Sequence, residues 1–136
     1  MKSLRVTIVR LIGLCMITFT LPAIAEAASV TLNWTASGDD GSVGTAAQYD
    51  VRYATANITG ANFASATQAT GEPAPKVAGS AETFTITNLA ANTTYYFALK
   101  AADEATNWSP LSNVVSVTTG DETAPAAIAN LTATIQ

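Results

Sequence analysis

Beyond residue 28 the apolar residues recur at every second position, in short runs divided by glycine- and proline-rich stretches. Val30, Leu32 and Trp34 alternate with Thr31, Asn33 and Thr35. Tyr49, Val51 and Tyr53 alternate with Asp50 and Arg52. Phe84 and Ile86 alternate with Thr85 and Thr87, and Leu89 closes that run. Tyr95, Phe97, Leu99 and Ala101 form the longest series, and Val115 and Val117 the last. A period of two places one set of side chains on one face of a strand and the other set on the opposite face. Each run therefore predicts a strand with one buried face. Residues 37–45, with Gly38, Gly41, Gly44 and two aspartates, read as a loop. Residues 57–80 are long and loose, with room for one short strand around Ala66 to Ala69. Several short strands, turns between them and no helical period predict an all-β, two-sheet sandwich.

The first residues follow another pattern. Lys2, Arg5 and Arg10 precede an uncharged run from Leu11 to Leu21, then Pro22-Ala23-Ile24-Ala25-Glu26-Ala27-Ala28. A basic start, a short apolar run and small residues spaced A-x-A are the marks of a secretory signal peptide, with cleavage near residue 26 or 28. The apolar run falls short of the ~20 residues of a membrane-spanning helix. Residues 1–27 are thus expected to leave with the signal, and Cys15 with them. Leu14 before it is too large for a lipoprotein site. The exported chain is then expected to fold without a disulfide. Residues 28–120 are long enough for a core of their own.

Charge narrows the partners. From Ala28 onward the bases are Arg52, Lys76 and Lys100, against nine Asp and Glu, a net charge of −6. An acidic surface repels phosphate backbones and anionic bilayers, so neither nucleic acid nor a membrane is an expected partner. A protein or polysaccharide surface remains. Catalysis has little to work with. The chain has no His, and its single Cys lies in the signal segment, so the commonest bases, thiol nucleophiles and zinc ligands are missing and no cofactor is expected. Carboxylate pairs, as glycosidases use, are present only in loops.

The run Thr83 to Leu89, followed by Asn92 to Ala101, resembles the fibronectin type III pattern. That pattern has a leucine at a corner, a tyrosine six residues on, then apolar residues at alternate positions, here Leu89, Tyr95, Phe97 and Leu99. Trp34 matches the core tryptophan of strand B in that family, Tyr49 and Val51 its strand C, and Trp108 to Ser112 the run into strand G. The resemblance spans about residues 29–119 and implies an immunoglobulin-like sandwich, in which Trp34, Tyr49, Val51, Leu89, Tyr95, Phe97 and Leu99 are structural. It also implies a secreted module acting in binding, adhesion or spacing. The alternatives are an accessory piece of a secreted carbohydrate-degrading enzyme and a self-assembling subunit. There is no Arg-Gly-Asp, so an integrin-binding loop is not implied. Five N-x-S/T sequons, at Asn33, Asn57, Asn92, Asn107 and Asn130, follow from the Thr-rich composition.

In this fold the B–C and F–G loops lie at one pole. Asp39, Asp40, Asp103 and Glu104 are expected to converge there as candidate Ca²⁺ ligands, beside Asn107 and Trp108. The spacing matches no calcium-binding loop, and solvated loop acids are the plainer expectation. Trp108 is the candidate ligand contact, weighed against an indole packed under its own loop.

The domain as read lacks the family's strand A. A strand-A-like segment instead follows strand G, at residues 121–136: Thr123 to Ile135, including Ile128, Leu131 and Ile135. Three explanations stand: a truncated second repeat, a tail folded back onto its own sandwich, and a tail exchanged head to tail with another copy.

Overall fold

The computed structural model describes residues 27–121 and 125–135. The signal-peptide reading, with Cys15, lies outside the described residues. Strands β1 (Ala28–Thr35), β2 (Gln48–Ala54), β3 (Thr67–Gln68), β4 (Ala81–Leu89), β5 (Thr94–Ala102) and β6 (Val115–Thr118) follow in order, with a 3₁₀ turn at Phe63–Ser65 between β2 and β3. β1 and β4 form a two-stranded sheet, and the order β3-β2-β5-β6 a four-stranded one, all antiparallel. Each predicted strand is present where the alternation placed it. The sheets face each other as an immunoglobulin-like sandwich.

Register explains the core. Val30 lies opposite Ile86, Leu32 opposite Phe84 and Trp34 opposite Glu82, so these six side chains share the inner face of the small sheet. Across from them, Val51 pairs with Leu99 and Tyr53 with Phe97. Val51 and Phe97 are shielded completely or nearly so, and Trp34 meets the ring of Tyr49 edge-on at 5.2 Å between centroids. Such aromatic pairs add to burial because a positive ring edge meets a negative face. Glu82 is a surprise on this face. Its carboxylate is buried, accepts a 2.7 Å hydrogen bond from the Lys76 backbone N–H and lies 3.3 Å from the Lys76 ammonium. A buried charge is tolerated when partners replace its water.

Leu89 and Tyr95 form the expected corner. Leu89 is buried, and the Tyr95 hydroxyl accepts a 3.1 Å hydrogen bond from the backbone N–H of Ala90. Thr119 secures the same end: its hydroxyl donates to the Ala90 carbonyl at 2.6 Å and accepts from the Thr93 N–H at 3.0 Å. The end of β6 is thereby tied to the β4–β5 connection.

The loose region between β2 and β4 is more structured than its composition suggests. Ile58 and Phe63 are buried with Ala98 on the outer face of the large sheet, beside Leu111, Val114 and Tyr96. Arg52 holds this layer in place. Its guanidinium grips Asp50 at 2.9–3.1 Å, donates to the carbonyls of Ala64 and Ala66, and lies 5.2 Å from the Phe63 ring centre. Planar bidentate geometry suits arginine to this task.

On the other edge β6 is short. Before it, Ser109 and Ser112 continue the pairing with β5. Their N–H groups donate to the carbonyls of Ala101 and Leu99, while their hydroxyls accept from the N–H groups of those same residues. Hydroxyls thus replace the carbonyls that a regular strand would offer around Pro110.

Val115 and Val117 depart from expectation. They carry the alternation of a strand with one buried face, yet are 42% and 39% exposed. Nothing among the described residues pairs with the outer edge of β1, so the small sheet leaves them uncovered. Leu32 and Trp34 are only half-buried for the same reason.

Tyr95→Phe removes the acceptor for the Ala90 N–H and is expected to cost about 1 kcal/mol. Phe97→Ala, which empties the centre of the core, is expected to cost about 3–5 kcal/mol. Urea unfolding of the two variants checks this order, and equal losses would contradict it.

Candidate functional site

The β1–β2 and β5–β6 loops meet at one pole. The first closes on itself: the Asp39 N–H donates to the Val43 carbonyl at 2.8 Å and the Gly38 N–H to the Gly41 carbonyl at 3.0 Å. Gly38 is required there, because a Cβ would collide with the Val43 carbonyl oxygen. The second loop turns over Asp103. Its carboxylate accepts 2.7 Å bonds from both the backbone N–H and the side-chain amide of Asn107. Between them Thr106 sits at φ 63°, a left-handed conformation that β-branched residues rarely adopt. The two bonds from Asn107 to Asp103 hold that strained turn closed.

Of the four candidate acids, Glu104 bears most strongly on Asp39. Their carboxyls face one another and share a hydrogen bond only when one holds a proton, which raises Asp39 above its ordinary 3.8. Loss of some hydration and the charges of Glu104, Asp40 and Asp103 push it the same way. Asp103 moves in the opposite direction, held low by its bonds from Asn107. Asp39 therefore favours the folded state more as pH falls through its raised value. The contribution of Asp103 is present above 3.8 and fades as pH falls through its lowered value. Among the described residues no three acids are grouped closely enough to hold a metal ion.

Trp108 stands beside these acids, bridged through its backbone to Ala102 and 45% exposed. With Ser37, Asp39, Asp103, Asn107 and Pro110 it lines a shallow cleft of about 280 Å³. The other candidates are core residues. Trp34, Tyr49, Val51, Leu89, Tyr95, Phe97 and Leu99 all belong to the main cluster or pack against it.

A larger concavity lies along β1, where the domain as read lacks strand A. A groove of about 550 Å³ runs along β1 between the sheets, lined by Val30, Leu32, Trp34, Phe97, Val115 and Val117 among others. A smaller hollow of about 170 Å³ continues it past Trp34 to Ser109 and Pro110. The missing strand A was its trace in the sequence, while alternation alone did not reveal that Val115 and Val117 lacked a cover.

An antiparallel two-sheet sandwich with a tyrosine corner, a core tryptophan and loops gathered at its poles defines a fibronectin type III-like module. The chain belongs to the family described as purple acid phosphatase, N-terminal domain, whose model matches residues 17–119. The match begins inside the segment read as a signal peptide. The family comprises N-terminal domains, not the phosphatase catalytic domains. The chain is also 41% identical over 113 residues to Chitinase A1 of Niallia circulans, an alignment covering 79% of this chain and 13% of that protein. The chain thus spans a small part of the relative's length. No solved structure matches. No helix among the described residues is long and apolar enough to cross a membrane.

Two measurements examine this pole. In a carbon-detected carboxyl titration, Asp39 is expected to titrate above 3.8, and Glu104→Gln to bring it back down. An Asp39 value indifferent to that change would contradict the facing pair. Thr106→Asn, which suits the left-handed backbone better, is expected to raise stability by about 0.5–1 kcal/mol in thermal unfolding. A loss would mean that the Thr106 conformation is not strained.

Proposed function

We propose that this protein is a secreted, non-catalytic accessory module that holds a polysaccharide-degrading system to its substrate through the Trp108 pole. The observation that carries the reading is the half-exposed indole over a cleft edged by Asp39, Asp103 and Asn107. An aromatic face suits the apolar face of a sugar ring, and flanking carboxylate and amide groups suit its hydroxyls. Likeness to one segment of a chitinase supports the substrate class. The acidic loops favour a neutral polymer over an anionic one, since like charges repel at close range. The basic, apolar and small-residue pattern of residues 1–27 supports export. The absence of His from the sequence supports a non-catalytic role.

A pull-down on insoluble chitin and cellulose with dilute protein tests this. Retention of the native chain is expected on a neutral polymer and not on an anionic one. Trp108→Ala is expected to weaken retention about tenfold, the loss of roughly 1–2 kcal/mol of ring contact, with the thermal midpoint unchanged. A native chain retained by no polysaccharide would favour a spacer and end the proposal.

A further inference from the structure

The groove along β1 has the shape and lining of a place for one more strand, and the same chain carries a segment that matches it. Leu131, Ala133 and Ile135 alternate with Asn130, Thr132 and Thr134, giving an extended run with one apolar face. Ile128, Leu131 and Ile135 are 81%, 89% and 103% exposed, and residues 125–135 form no strand. An edge of β1 left open among the described residues and an exposed apolar strand former on the same chain are a self-association risk unless each has the other.

In the structure the two do not meet within one copy. The chain leaves the sandwich at the Ala28 end of β1, where the Asn92 N–H donates to the Gly120 carbonyl and Ala28 pairs with Leu89. A strand antiparallel to β1 must start at the other end, near Thr35. That lies roughly 25 Å away, so a tail folding back within one copy would have to run the length of β1 before it could pair. In the structure the tail stays outside its own groove. A tail leaving one pole reaches, in a second copy stacked below it, the pole where an antiparallel strand must begin.

We propose that residues 126–135 of one copy add as a strand to β1 of a second copy, seating Leu131, Ala133 and Ile135 over Leu32, Trp34, Val115 and Val117. The contact is head to tail, so copies add one after another until a ring closes or an open chain forms. The main-chain ladder gives pairing, and alternate apolar side chains set the register. This inference does not depend on polysaccharide binding, and its test uses no sugar.

Sedimentation velocity of the exported full chain over a hundredfold concentration range is the test. Species growing by one copy at a time are expected. Leu131→Asp combined with Ile135→Asp is expected to weaken association at least tenfold without altering the far-ultraviolet spectrum, since the tail lies outside the sandwich. A synthetic 125–135 peptide in excess is expected to return the native chain to monomers. In a Cys15→Ser background, chains with Asn33→Cys mixed with chains with Thr132→Cys are expected to cross-link to each other through a short bismaleimide. A native chain that stays monomeric at every concentration, whether its groove is filled by residues before 27 or by its own tail, overturns the proposal. So do assemblies that survive both the double variant and the peptide.

Discussion

The two sheets are of unequal width, and most of what is distinctive in this molecule follows from that. Among the described residues, two strands face four. The inner face of the large sheet is therefore covered only where β1 and β4 lie above it, and apolar residues under the missing width face water. On the β6 side the consequence is a groove beside Trp34. On the β3 side the gap is smaller and edged by Thr85, Thr87 and Gln68. Burial is worth roughly 25 cal/mol per Å² of apolar surface, so an uncovered valine pair and half an indole leave binding energy unused. The domain nevertheless closes, because Val51, Phe97, Leu89 and Ile86 lie under the part of the small sheet that exists.

That closure relies on polar fastenings at the ends and edges. Tyr95 and Thr119 tie the β4–β5 corner to the end of β6. Ser109 and Ser112 carry pairing past Pro110. Arg52 anchors a second apolar layer outside the large sheet. Each fastening replaces backbone or charge hydration with a directed bond, as buried polar groups require. In a core without a disulfide among its described residues these bonds hold the loops at fixed positions, and so place Trp108 and the acids at a common pole.

Much of this was legible in the sequence. Alternation located β1, β2, β4, β5 and β6, because the apolar side chains of each lie on one face at every second position. Trp34, Tyr95 and Leu89 were recognisable because the corner and the inter-sheet tryptophan need those side chains at those spacings. What stayed hidden depended on contacts distant in the chain. Phe63 and Ile58 lie in a segment whose glycines and prolines signal a loop, and only the outer face of β5 explains their burial. Glu82 follows the inward phase of Phe84 and Ile86, yet an acid at such a position reads as a break in the pattern unless Lys76 is known to cover it. Val115 and Val117 show the limit most clearly. Period two identifies the face a side chain occupies and says nothing of whether another strand lies over that face. At the loop pole the sequence brought the four acids together, while the pairing of Asp39 with Glu104 and the capture of Asp103 by Asn107 depend on loop geometry.

The outer edge of β1 is the feature on which the account rests, and residue-resolved hydrogen exchange in dilute solution reports on it directly. In an antiparallel pair only alternate residues of an edge strand turn their N–H groups toward the neighbour. Along β1, protected amides bonded to β4 should therefore alternate with rapidly exchanging amides on the open side, while β5, flanked by β2 and β6, should be protected throughout the length both cover. Uniform slow exchange along β1 in monomeric protein would show that its edge is already occupied, and would contradict the account.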